Sequence, residues 1–157
     1  LPELVTKYNV KILRIPGAEA DDVAAVVTKR ILEIHSTKEI LIITNDCDYL
    51  QLLQPRVHIW NLQTKNLKDR SCGDPAIDLE LKIILGDKSD NIKRCFPKCG
   101  EKTALKYIKD RKLLENAFKL NPGSKDIYER NSLIIDFNRI PTEIINIIIE
   151  SFDEIVF

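Results

Sequence analysis

The chain has 157 residues, 44% hydrophobic and 31% charged, a composition typical of one globular domain and unlike a disordered or low-complexity segment. Lysine plus arginine equals aspartate plus glutamate at 24 each, so the totals alone do not indicate a nucleic-acid binder. The chain lacks a membrane-length apolar run and a signal peptide, so we expect an intracellular protein with reduced cysteines. A first residue other than methionine suggests a piece of a longer protein.

The first third of the chain predicts a strand, a helix and a second strand. Residues 10–15 are β-prone and end at Pro16-Gly17, which favours a strand. Apolar residues between Ala20 and Ile34 recur at helical spacing. Residues 40–44 are continuously apolar, as in a strand buried on both faces. This order predicts a βαβ unit with a parallel sheet.

The remaining elements are mostly helical. We expect a short helix at 49–53 and a strand at 57–61, with His58 facing solvent and Trp60 in the core. Asp74-Pro75 predicts the start of a helix that continues to Leu85, because aspartate caps a first turn and proline fits inside it. Further helices are predicted at 112–120, 125–136 and 141–152. Residues 93–112 carry eight basic residues and two acidic ones.

Three groups of acidic residues stand near predicted element ends. They are Glu19, Asp21 and Asp22; Asp46 and Asp48; and Asp87 and Asp90. The second group follows a predicted buried strand, at the sheet edge where open α/β folds bind ligands, and the first is expected at the same edge. Clustered carboxylates repel one another without cations, and their oxygens suit magnesium or manganese. Taken singly, each group is also explained by helix capping or turn formation.

Four motifs together resemble the 5′→3′ exonuclease and flap endonuclease family, and they occur in family order. They are Glu19-Ala20-Asp21-Asp22, Thr44-Asn45-Asp46-Cys47-Asp48-Tyr49-Leu50-Gln51-Leu52, Gly86-Asp87-Lys88-Ser89-Asp90-Asn91-Ile92 and Pro97-Lys98-Cys99-Gly100-Glu101-Lys102-Thr103-Ala104. The likeness continues to Tyr128-Glu129-Arg130-Asn131 and Ile140-Pro141. It implies an α/β fold: the C-terminal portion of a PIN-like parallel-sheet nuclease core at 1–92, then a helical helix–two-turn–helix region at 93–157.

The same resemblance implies a site and its cofactors. All seven acids of the three groups would be metal ligands for two Mg²⁺ or Mn²⁺ ions, with Asp22, Asp46 and Asp48 as the catalytic residues. The reaction would be hydrolysis of a DNA phosphodiester by metal-activated water, leaving a 5′-phosphate. The implied DNA-binding residues are Lys93, Lys98, Gly100, Lys102, Thr103 and Lys106. A potassium ion is implied at the 97–100 turn, although Lys98 replaces the family's first glycine there.

The implied partner is DNA with 5′ flaps, nicks or duplex ends, and no membrane. The family also has an upstream segment with a further aspartate strand and a basic helical arch. We therefore expect this chain to need its own N-terminal segment and to cleave weakly or not at all alone. Two alternatives stay open: a catalytically incomplete, DNA-binding structural fragment, and a PIN-like ribonuclease. The residues do not distinguish exonuclease from flap endonuclease preference.

Overall fold

The computed structural model describes residues 7–8 and 10–156. In chain order the elements are α1 (Ala20–Ile34), β1 (Ile40–Ile43), β2 (Val57–Trp60), α2 (Pro75–Leu85), α3 (Glu101–Lys109), α4 (Arg111–Leu120), α5 (Ser124–Ile135) and α6 (Thr142–Val156), with 3₁₀ helices at Cys47–Leu52, Leu67–Arg70 and Phe137–Arg139. They form two compact units, one of Leu1–Lys38 with Ile140–Phe157 and one of Glu39–Arg139. Within the described ranges, every helix is too short or too polar to cross a membrane.

The first unit pairs α1 with α6. Its core includes the buried side chains of Ile15, Val26 and Ile148. The Arg30 guanidinium donates two hydrogen bonds to the Asp153 carboxylate, Nη2 to Oδ2 at 2.6 Å and Nε to Oδ1 at 3.2 Å. Such a two-point contact fixes the direction of both side chains and ties the two helices together.

The predicted strand at 10–15 is wrong. These residues form no regular element, although Ile15 at their end is buried in the core of the first unit. A strand is defined by backbone hydrogen bonds to a neighbour, and the sheet found in the described residues contains β1 and β2 alone. An apolar run with β propensity can therefore bury a side chain without becoming a strand.

The second unit begins with a parallel pair, β1 and β2, in which Ile40 is opposite Val57 and Ile43 is opposite Trp60. This confirms a parallel sheet, but not the βαβ unit predicted from residues 10–44, because the partner of β1 is β2 rather than residues 10–15. The predicted burial of β1 on both faces is wrong, because Ile43 is 61% exposed, and Trp60 is 38% exposed rather than in the core. The core side chains Val57 and Ile59 alternate with exposed ones along β2, so packing favours one face of the pair.

Helices α2 to α5 complete the second unit. They surround buried side chains of Leu81, Ile84, Cys95, Phe96, Cys99, Ala104, Leu114 and Ala117. Helix α2 begins as predicted, with the Asp74 carboxylate accepting the Ala76 N–H at 2.9 Å and Pro75 in the first turn. The predicted helices after residue 110 are confirmed as α4, α5 and α6. The division predicted at residue 92 stays a prediction, since compact units reflect contacts rather than chemical roles.

Candidate metal and nucleic-acid site

Asp46 and Asp48 stand in the turn that follows β1. The Asp46 carboxylate is the N-cap of the 3₁₀ helix Cys47–Leu52 and accepts the Asp48 N–H at 2.9 Å. The Gln51 side chain links this turn to the end of α5, because its amide donates to the carbonyls of Asp48 and Ile135, each at 3.0 Å. The same side chain accepts the Phe137 N–H at 3.1 Å. The position of Asp48 is therefore set by the end of α5 as well as by its own turn.

Three of the predicted ligands meet at one cation, the ammonium of Lys82 on α2. The Lys82 Nζ contacts Asp48 Oδ1 and lies 3.1 Å from Asp87 Oδ2 and 3.9 Å from Asp90 Oδ2. The side chains of Lys82 and Asp48 are only 18% and 14% exposed. We call Asp48, Asp87 and Asp90 the acid cluster.

The acid cluster is completed by a closed loop after α2. Asp87 and Ile92 exchange two backbone hydrogen bonds, at 3.0 and 2.7 Å, which close the loop between them. The Asp87 carboxylate also accepts the Ser89 N–H at 2.8 Å and the Ser89 hydroxyl. The Ser89 hydroxyl, and after it the Lys82 ammonium, lower the pKa of Asp87 to about 2 against the opposing effect of burial. Asp87 is therefore ionised at neutral pH and available as an oxygen ligand.

A buried amide holds this loop against α2. Asn131 on α5 is fully buried, and its Nδ2 donates to the carbonyls of Ile83 at 2.9 Å and Lys93 at 2.7 Å. Cys95 N–H donates to the Ile84 carbonyl at 2.9 Å. The bonds to Ile83 and Ile84 satisfy carbonyls at the end of α2 that the helix leaves unpaired. The bond to Lys93 joins this end of the helix to the start of the basic segment.

The acid cluster consists of carboxylate oxygens, the type of ligand that hard divalent cations prefer. Across residues 7–8 and 10–156, no group of three or more histidine, cysteine, aspartate or glutamate side chains already has the geometry of a metal site. The three carboxylates instead surround the Lys82 ammonium, so their oxygens already stabilise one positive charge. A pocket of about 370 Å³ adjoins it, with Asp48, Lys82, Cys47 and Arg70 in its wall.

Glu19, Asp21 and Asp22 belong to the first unit, where they begin α1. The Asp22 Oδ2 accepts the Glu19 N–H at 3.1 Å, and Asp21 Oδ1 accepts the Asp22 N–H at 3.0 Å. These are the bonds expected of capping residues at a helix start. Glu19 is exposed, while Asp21 and Asp22 are half-buried, so their carboxylates combine a capping role with access to a ligand.

The predicted DNA-binding residues lie around the start of α3. Lys93, Lys98, Gly100, Lys102 and Lys106 are exposed and Thr103 is half-buried. The Gly100 carbonyl begins the helix by accepting the Thr103 and Ala104 N–H groups, both at 3.0 Å. Lys98 and Lys102 flank the positive end of the helix dipole, which suits a phosphate group, while Glu101 also lies in the first turn and Lys106 lies in the last turn.

Lys98 keeps the backbone conformation that glycine would favour. Its φ is +55°, in the left-handed region that glycine adopts most easily. Arg94 Nη1 donates to the neighbouring Cys99 carbonyl at 3.3 Å and supports the turn from within.

Sequence reasoning missed Lys82. It is the one basic residue in α2, five positions before Asp87, in the otherwise apolar run that ends the helix. A lysine in an apolar helical stretch needs a partner for its charge, and that signal could have pointed to the acids on either side of it in sequence.

Comparison with known proteins shows what this chain is similar to. Residues 1–76 match the family described as 5'-3' exonuclease, N-terminal resolvase-like domain. A 5'-3' exonuclease of Buchnera aphidicola subsp. Acyrthosiphon pisum (strain APS) is 29% identical over 136 residues, which are 83% of this chain and 46% of that protein. A thermostable DNA polymerase I of Thermus thermophilus is 33% identical over 124 residues, 76% of this chain and 14% of that protein.

The chain is similar to the 5'-3' exonuclease family, whose model matches its residues 1–76. It spans less than half the length of the curated relatives described above. Among solved structures, the bacteriophage T5 5'-exonuclease with divalent zinc ions bound is 20% identical at a TM-score of 0.75, covering 96% of this chain and 65% of that chain. A T5 flap endonuclease in a pseudo-enzyme-product complex with DNA and metal ions matches at the same TM-score and identity, covering 96% and 64%. The predicted PIN-like α/β nuclease fold is confirmed.

Proposed function

We propose that the chain carries the acid cluster and the duplex-binding helix of a metal-dependent, structure-selective 5′ nuclease acting on DNA. The observation that carries the proposal is the meeting of Asp48, Asp87 and Asp90 at one cation, in the same compact unit as the exposed basic face of α3. The match of residues 1–76 to the 5'-3' exonuclease family supports it, as do the relatives described as 5'-3' exonucleases and the T5 complex with DNA and metal ions.

The acid cluster would hold divalent metal, two Mg²⁺ or Mn²⁺ ions in the full site. When bound, such ions supply Lewis-acid stabilisation of charge on the phosphate and lower the pKa of water. Asp46 orients Asp48 through its N–H, and Ser89 holds Asp87 in its ionised form. Glu19, Asp21 and Asp22 stay predicted ligands from the sequence motif, and Asp22 stays a predicted catalytic residue with Asp46 and Asp48.

The start of α3 would hold the DNA backbone. Lys98, Lys102 and Lys106 supply exposed charges, and Gly100 leaves the first turn of the helix open to a phosphate. A potassium ion at the 97–100 turn stays a weaker prediction, because the Arg94 guanidinium already brings positive charge to the Cys99 carbonyl.

A nuclease assay with a matched variant tests the proposal. The full-length protein, with the segment upstream of this chain, is purified and incubated with Mn²⁺ and 5′-flap, nicked and single-stranded DNA, alongside its Asp48→Asn and Asp69→Asn variants. Both variants remove one negative charge, but Asp69 is exposed outside the acid cluster. We expect Asp48→Asn to lower cleavage on the order of 10²-fold or more while keeping DNA binding, and Asp69→Asn to match wild type.

The same assay separates the alternatives. Binding of flap DNA without cleavage by the wild-type protein would favour a catalytically incomplete DNA-binding protein. Faster cleavage of matched RNA substrates would favour a ribonuclease. Equal cleavage by wild type and Asp48→Asn would contradict the metal assignment.

A further inference from the structure

We infer that the Lys82 ammonium is the cation that holds the carboxylates of the acid cluster together when no metal is bound. The same ammonium competes with divalent metal for the carboxylate oxygens. The inference rests on the proposed function, because it concerns the residues assigned there as metal ligands. Lys82 itself would be a positioning residue, since it acts through the three aspartates.

The ion pairs show that the Lys82 ammonium lies among three carboxylates, of which Asp90 is beyond hydrogen-bonding distance. A lysine ammonium has three N–H donors, and the Lys82 Nζ faces three carboxylates, in contact with Asp48, 3.1 Å from Asp87 and 3.9 Å from Asp90. Asp48 Oδ1, its partner in contact, is fully buried from solvent. Three negative charges this close would repel one another, least at Asp90, whose side chain is 56% exposed, and the ammonium reduces their net charge from −3 to −2.

Geometry makes metal and ammonium rivals. A magnesium ion binds carboxylate oxygens at roughly 2.1 Å, so one bound to Asp48 Oδ1 would need the space that the ammonium fills. Two cations at such a separation also repel. The lysine side chain has a flexible four-carbon stem, and the pocket of about 370 Å³ that Lys82 lines gives the ammonium room to turn away.

The Lys82 ammonium has opposite effects on the metal-free and the metal-bound protein. Without metal, Lys82 stabilises the fold by balancing the acid cluster. With metal, the cost of moving the ammonium is subtracted from the binding free energy, so the affinity is weaker than the ligands alone would give. Removing the charge of Lys82 should therefore lower metal-free stability and raise metal affinity together.

Calorimetric titration of Mn²⁺ tests this with two charge-matched variants, Lys82→Met and Lys88→Met. Lys88 is exposed in the adjoining loop, so its variant loses the same charge without opening the cluster. We expect Lys82→Met to bind Mn²⁺ roughly tenfold more tightly than wild type. The variant should melt at a lower temperature than wild type without metal, and added Mn²⁺ should raise its melting temperature by more. Lys88→Met should stay near wild type in all three. Affinity in Lys82→Met that equals or falls below wild type would overturn the inference.

A second measurement uses the wild-type protein and does not depend on a variant that folds. Amines are acetylated with a brief pulse of reagent, and the rates at Lys82 and Lys88 are compared by peptide mass spectrometry with and without Mg²⁺. We expect Mg²⁺ to speed labelling of Lys82 severalfold and to leave Lys88 unchanged, because the displaced ammonium becomes accessible. Unchanged or slower labelling of Lys82 under metal that demonstrably binds would contradict the competition.

Asp48→Asn distinguishes failure of the inference from failure of the proposed function. If wild type binds Mn²⁺ and Asp48→Asn does not, the ligand assignment stands and Lys82→Met alone decides the inference. If neither wild type nor Lys82→Met binds Mn²⁺, and Asp48→Asn changes nothing, the metal assignment fails and the inference falls with it.

Discussion

Gly86 is the residue on which the shape of the acid loop depends most directly. Its φ of +67° and ψ of −175° lie in a region that side-chain-bearing residues rarely adopt. A Cβ at this position would lie 2.4 Å from the Ile92 carbonyl oxygen and 2.6 Å from the Lys93 carbonyl carbon, both rigid backbone atoms. Glycine is therefore required both by conformation and by the close approach of the returning chain.

We expect Gly86→Ala to destabilise the protein by about 4 kcal/mol, from backbone strain and from the clash with the returning chain. Gly73→Ala is the control, because Gly73 also has positive φ, at +97°, but nothing lies within 4 Å of its would-be Cβ. It should cost only about 1–2 kcal/mol. Urea denaturation measures both. Equal losses in the two variants would show that the contact with Ile92 and Lys93 is unimportant.

At the level of single residues, the sequence motifs located the acids but not their relations. Asp48, Asp87 and Asp90 were predicted ligands from their motifs, and the structure brings them together. Lys82 was missed because its partners come from two different loops, and no local pattern links it to both. Lys98 adopts the left-handed conformation, at a cost of roughly 1 kcal/mol for a residue with a side chain.

Helices α2, α4 and α5 are joined by one polar network in the second unit. Glu80 on α2 is buried, and its carboxylate accepts hydrogen bonds from both Arg111 Nη atoms and from the Tyr128 hydroxyl at 3.0 Å. Burial, and then the Glu80 charge, raise the pKa of Tyr128 to about 12. The network therefore favours the neutral phenol in the folded state.

We expect the stability of the protein to fall as pH rises from about 10 to about 12. The folded state holds the Tyr128 proton more tightly than the unfolded state, so its contribution is complete below the unfolded pKa and is lost through the folded one. Tyr128→Phe should cost about 1–2 kcal/mol at pH 7 and remove this part of the alkaline loss. Tyr107→Phe is the control, and this variant should still lose stability as the pH rises through this range. Urea denaturation across this pH range measures both, and an unchanged alkaline slope in Tyr128→Phe would contradict the assignment.

At the level of elements, prediction succeeded where the signals are local. The start of α2 follows from Asp74 and Pro75 alone, because capping and the fixed φ of proline act within one turn. The strand predicted at 10–15 failed because a strand depends on a partner elsewhere in the chain. The exposure of Ile43 and Trp60 was equally beyond local reasoning, since the face that a strand buries is decided by what packs on it.

For the molecule as a whole, a balanced net charge conceals local charge of both signs. The 24 basic and 24 acidic residues cancel, yet α3 exposes Lys102 and Lys106 on one face while the acid cluster concentrates negative charge elsewhere in the same unit. Binding to a polyanion depends on the local charges at the contact and on the counterions they release, so the net charge does not prevent it.

We expect Lys102→Ala with Lys106→Ala to weaken duplex DNA binding about equally for unrelated sequences, because ammonium contacts to phosphates carry no base information. The slope of log affinity against log salt should become shallower by about two, one unit for each lost contact. Lys65→Ala with Lys68→Ala is the control, since it removes two exposed lysines from the loop after β2 and should leave both quantities unchanged. Fluorescence anisotropy across a salt series measures them. If the control pair flattens the slope as much as the α3 pair, binding reflects overall charge, and the basic face of α3 is an ordinary solvated helix surface.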